Sequence, residues 1–97
     1  MTTLHIVRQS AFSSNDFAQC LQTLSNNDVI TFIDDGCYNL QHNLINSIDS
    51  NKNIQITVVE QHANARAIVI NETITTKITM ADLVALTFKN DRVITWQ

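Results

Sequence analysis

Ninety-seven residues, 44% of them hydrophobic, suffice for one domain with one core, and residues 1–97 read as a single domain. The net charge of −3 comes with only six Lys and Arg, scattered singly, so the basic patch of a direct nucleic-acid binder is missing. No apolar run approaches the roughly 18–20 residues of a membrane span, and His5 and Arg8 interrupt the short N-terminal apolar stretch where a signal peptide needs continuity, so a cytoplasmic location is expected.

In chain order, Thr3–Val7 is short, apolar and partly β-branched, and reads as a strand. Ser13 and Ser14 precede a helix whose apolar face is Phe17, Leu21 and Leu24, at i, i+4 and i+7. Residues 25–28 form a polar turn. Residues 29–33 are apolar at nearly every position, as expected of a strand covered on both faces. A helix with the stripe Leu40, Leu44, Ile45 and Ile48 should follow, then a turn at 49–53, a strand over 54–59 and a short helix over 60–66. Residues 67–72 fit neither pattern cleanly. Ile74, Thr76 and Ile78 alternate, predicting a strand over 73–79. Thr79 and Asp82 then resemble a capping box, opening a helix that runs to Lys89, and Arg92–Trp96 is a last strand. This alternation of strands and helices predicts an α/β fold, a three-layer α/β/α sandwich.

Two features exceed a generic fold. Residues 28–38 carry an apolar run into Asp34 and Asp35, then into Gly36, the one glycine of the chain. That is how a buried strand reaches the ligand-facing end of an α/β sheet, yet a single glycine excludes Gly-rich phosphate loops and dinucleotide fingerprints. In the last helix Met80, Ala81, Leu83, Val84, Leu86 and Phe88 span about 220° of the circumference, whereas one sheet contact needs little more than ~100°. The excess points to a partner subunit; the alternative is a helix tucked under its neighbours. The expected interface is Met80, Leu83, Val84, Leu86 and Phe88.

The landmarks together resemble a known family: Leu4-His5, Ser10 and Phe12, a strand ending in Asp35-Gly36, Ala65-Arg66, Asp82-Leu83-Val84 in the last helix, and Trp96 near the end. In this order and spacing, over essentially the whole chain, they look like the TusB/DsrH family. Ala11 stands where that family usually has proline, and Ala67 where glycine often follows the arginine. The resemblance implies a five-stranded, mostly parallel sheet in the order 2-1-3-4-5 with the last strand antiparallel. It also implies TusC-like and TusD-like partner subunits in a dimer of heterotrimers, passing persulfide sulfur from a TusA-like donor toward a TusE-like acceptor and 2-thiolation of the tRNA wobble uridine. The DsrE-DsrF-DsrH complex of sulfur oxidisers is the parallel case. No cofactor is implied.

A sulfur carrier needs an accessible thiolate. The TusD-like carrier cysteine lies just after the third strand, and here residues 58–63, Val-Val-Glu-Gln-His-Ala, hold none. A catalytic role would therefore fall to Cys20, which matches a DsrH-type cysteine and flanks the apolar face of its helix, either as packing or as an edge thiol. Cys37, at the start of the second helix beside two acids, has no family match. No Cys-x-x-C pair or close-spaced His and Cys pattern marks a metal site. His5 reads as a core histidine or a residue at the sheet end; His62 and Arg66 lie where a partner's thiol would approach; Asp34 and Asp35 read as turn residues, with acid/base work as the alternative. The leading function is an accessory sulfur-relay subunit. A direct carrier using Cys20 and a small α/β ligand-binding domain are the alternatives.

Overall fold

Runs of β-branched and apolar residues form five strands in the computed structural model, which describes residues 1–97 apart from the side chain of Ser50: β1 (Thr3–Val7), β2 (Val29–Phe32), β3 (Gln55–Val59), β4 (Thr76–Ile78) and β5 (Arg92–Trp96). Three α-helices accompany them: α1 (Asp16–Gln22), α2 (Glu60–Ala65) and α3 (Met80–Lys89). The expected capping box is present, with Thr79 and Asp82 side chains each accepting from the other's backbone N–H.

The sheet order is β4-β3-β2-β1-β5, and every neighbouring pair is parallel. The order 2-1-3-4-5 with an antiparallel last strand is thus corrected, although the α/β class holds. The geometry follows from the connections. β1 to β4 step one way across the sheet, and right-handed crossovers then place all their connections on one face. The return from β4 to beyond β1 spans four strand spacings, about 19 Å. Ten-residue α3 covers about 15 Å of that on the opposite face, and β5 enters parallel beside β1.

The two faces are consequently unequal. One core joins Val7, Ile30, Phe32 and Val58 of the sheet to Phe17, Cys20 and Leu24 at α1, Cys37, and Ala63 of α2. The other joins Leu4, Val29, Val59 and Ile78 to Leu83 and Leu86 of α3 alone. Alternation along the strands sends successive side chains to these two cores.

The second predicted helix is also corrected. Between β2 and β3 lie three 3₁₀ segments, Asp34–Gln41, Asn43–Ser47 and Ser50–Lys52. His42 is extended, with φ −95° and ψ 145°, and its Nδ1 accepts the Leu44 N–H. Asn39 is buried and bridges two backbone groups, accepting from Ala11 N at 2.7 Å and donating to Gln9 O at 3.0 Å. Side chains that bond locally or to other backbone compete with a regular helix. Leu40, Leu44, Ile45 and Ile48 still pack against the core, through a tighter and broken helix.

Candidate functional site

In a parallel sheet the carboxyl ends of the strands gather at one edge, where ligands and partners usually meet. Here that edge carries Arg8 after β1, Asp34 and Asp35 after β2, His62 and Arg66 from α2 and its end, and Gln97 after β5. Gly36 is pressed so closely onto the end of β1 that an added Cβ would lie 2.0 Å from Val7 O, which is why glycine occupies this position. The chain turns there through Asp34, whose φ of 50° is left-handed.

The charges at this edge are paired. Arg8 Nε donates to Asp34 Oδ2 at 3.2 Å and its Nη1 to Gln97 Oε1 at 2.8 Å. Arg66 Nε donates to Asp35 Oδ1 at 3.0 Å and its Nη1 to His62 O at 3.1 Å. His62 Nδ1 accepts the Asp34 N–H at 3.0 Å, which assigns the ring proton to Nε2. The acids sequence reading placed in a turn therefore brace two arginines and a histidine, contacts between positions 26–31 apart that chain spacing does not reveal. Exposed pairs of this kind contribute about 0–1 kcal/mol each, so they shape the surface more than they hold the fold.

Neither cysteine reaches this surface. Cys20 is fully buried on the core side of α1, and burial, reinforced by the nearby Asp28 charge, pushes its thiol up to about 12. The helix turns Cys20 inward together with Phe17 and Leu24, while Leu21 is only partly buried, so the edge-thiol placement does not hold. Cys37 is fully buried as well, its Sγ 3.8 Å from Phe32 O. Burial pushes it up to about 11; Arg66 opposes the rise, and Asp34 and Asp35 add to it. Residues 58–63 form the end of β3 and the start of α2, with no cysteine there.

α3 divides its apolar residues. Leu83 is buried against the sheet and Leu86 packs partly against the same core. Met80, Val84 and Phe88, one turn apart, face outward at 44%, 53% and 85% exposure. Val93 of β5 is also exposed. A groove of about 370 Å³ lies elsewhere, under Ile45, Ile48, Ile54, Ile56 and Ile74, away from the charged edge. Among the described residues no helix is long and apolar enough to cross a membrane.

One polar cluster escaped the sequence reading. His5 and Asp28 are 1% and 2% exposed. Asp28 accepts from Thr3 N, Ser25 N and His5 Nε2, each at 3.0 Å, and Trp96 Nε1 donates to His5 Nδ1 at 3.1 Å. Burial disfavours the Asp28 carboxylate, but the bonds from Ser25, His5 and Thr3 outweigh it and hold the carboxyl below its ordinary range. Asp28 lay hidden among turn residues; a histidine in an apolar strand was the available signal.

Comparison with known proteins adds to this geometry. A family model described as DsrH-like protein matches residues 9–93. The fold is similar to the crystal structure of the ychN protein from E. coli, with a TM-score of 0.72 and 18% sequence identity, covering 99% of this chain and 100% of that one. Comparison with curated protein sequences gives no match.

Proposed function

Since the chain belongs to the DsrH-like protein family, a family of sulfur-relay subunits, we propose that it is the accessory, non-carrying member of a cytoplasmic complex with TusC-like and TusD-like subunits. In this reading the complex is a heterohexamer that passes persulfide sulfur from a TusA-like donor toward a TusE-like acceptor and 2-thiolation of the tRNA wobble uridine. Relay requires a thiolate to attack the terminal sulfur of a donor persulfide. A new S–S bond forms, the donor's S–S bond breaks, and the donor thiolate leaves with no net redox change. The observation that carries the accessory role is the burial of both thiols: neither Cys20 nor Cys37 can meet a donor in this fold, and a thiol pushed up to about 12 or about 11 holds almost no thiolate at neutral pH.

The partner-facing surface in this reading is the outward side of α3, Met80, Val84 and Phe88, with Leu83 and Leu86 anchoring the helix from within. His62 and Arg66 at the carboxyl edge are the groups nearest an incoming thiol. The test is coexpression with the two partner subunits followed by native mass spectrometry. Equal stoichiometry of all three chains supports the proposal. A chain that copurifies with neither partner refutes it. Carriage by Cys20, as in a sulfur-oxidation pathway, would require α1 to open from the core.

A further inference from the structure

We infer that the buried Asp28–His5–Trp96 chain is a proton-sensitive latch that fastens the C-terminal strand β5 to the rest of the sheet. The latch is independent of the proposed role in sulfur relay. β5 ends the sheet and pairs with β1 alone. Its Trp96 side chain reaches back to His5 of β1, whose other nitrogen is bonded to Asp28 at the entrance to β2. The three side chains thus join three adjacent strands in the order β5, β1, β2.

The chemistry at each nitrogen is fixed by its partner. An indole N–H only donates, so His5 Nδ1 must be an acceptor; the ring's one proton is then on Nε2, donated to the Asp28 carboxylate. A second proton has one place to go, Nδ1. Once there, two N–H donors would face each other across the 3.1 Å now closed by a hydrogen bond. Asp28 attracts positive charge on the ring, but it sits on the opposite nitrogen and cannot relieve that clash. Trp96 must leave before His5 can charge.

The titratable and charged groups on the elements packed around His5 are Asp28 ahead of β2, Asp16 and Cys20 on α1, and Asp91 and Arg92 at the entrance to β5; Asp16 accepts from Ser14 Oγ at the first turn of its helix. Of these charged and titratable groups, Asp28 is the one bonded to the ring. Cys20 is a neutral thiol, Asp91 accepts from Thr2 N, and Arg92 is exposed. The released form therefore binds one more proton than the latched form. Falling pH therefore favours the released form over the latched one.

The experiment uses the full chain between about pH 7.5 and about pH 5, either side of the ordinary histidine range. Trp96 is the sole tryptophan, so its emission reports the latch directly, and hydrogen exchange of residues 92–96 reports the strand. The expected result is a reversible red shift of the emission and exchange at least ~10-fold faster in β5, after correction for intrinsic rates, with β2 and β3 unchanged. Trp96→Phe removes the donor and should abolish the pH dependence of β5 exchange. His5→Gln replaces the titrating ring by an amide and should do the same to the emission. Should His5→Gln fail to fold, Trp96→Phe still decides. Emission and β5 exchange that stay constant over this range would overturn the latch, as would a Trp96→Phe response equal to wild type, or loosening of β2 and β3 together with β5.

Discussion

Two backbone N–H groups and a histidine converge on Asp28, and that convergence keeps a carboxylate charged inside the fold. Its carboxyl is held below the ordinary value, so its contribution is present above that value and lost as pH falls through the folded one. The thiols obey the opposite sign. Cys20 and Cys37 are raised from 9.0 to about 12 and about 11, so their contribution is complete below about 9 and lost as pH rises toward those values. Chemical denaturation should show stability falling above about pH 9 by up to ~1.4 kcal/mol per unit for each thiol, and Cys20→Ala with Cys37→Ala should flatten that decline. Native protein at neutral pH should resist iodoacetamide at both positions; rapid modification of Cys20 by mass spectrometry would show that α1 opens. Ala67 offers a second test. Its φ of 54° lies in the left-handed region, at a position where a glycine was anticipated from the family pattern. Ala67→Gly should stabilise the protein by about 0.5–1 kcal/mol in urea unfolding, because the relief of backbone strain exceeds the added freedom of the unfolded chain. At Ala11 the departure from proline has a visible use, since its N–H bonds Asn39. Apart from the local bond from Ser25 N to Asp28, these pairings were not legible in spacing, because they join residues 23–28 positions apart.

Among the elements, those with strong local signals were legible. β1 and β5 fall on their predicted residues, and α3 opens at its capping box. The segment after β2 was not, because four apolar residues at helical spacing suit a 3₁₀ chain as well, and Asn39 and His42 act there through bonds the pattern does not encode. Strand order was invisible for a different reason: the apolar pattern of β1 and β2 marks them as interior strands without ordering them, and only the path of α3 decides which edge receives β5. Of the charged edge, Asp34, Asp35, His62 and Arg66 were all singled out, but not their pairing. α3 separates packing from recognition. Leu83→Ala should destabilise the fold by about 2–5 kcal/mol, as deletion of a buried leucine does. Val84→Lys and Phe88→Glu, on the outward side, should leave stability within about 0.5 kcal/mol while reducing copurification with the partner subunits. If both variants assemble normally, the interface lies elsewhere.

On the scale of the whole molecule, the sheet is covered by α1, α2 and the 3₁₀ segments on one side and by a single ten-residue helix on the other. A domain of this size buries a modest fraction of its surface, and the thinner side is the one that exposes Met80, Val84 and Phe88. An obligate interface there would bury on the order of 2,000 Å² or more. In the proposed function this chain would support relay by holding the assembly together while the sulfur travels on another subunit. Intact-mass spectrometry of the reconstituted complex after incubation with a persulfide donor tests that claim most directly. The account predicts one added sulfur atom on a partner subunit and none on this chain, with thiolation unaffected by Cys20→Ser. A stoichiometric sulfur adduct on Cys20 that transfers onward to a partner would contradict it.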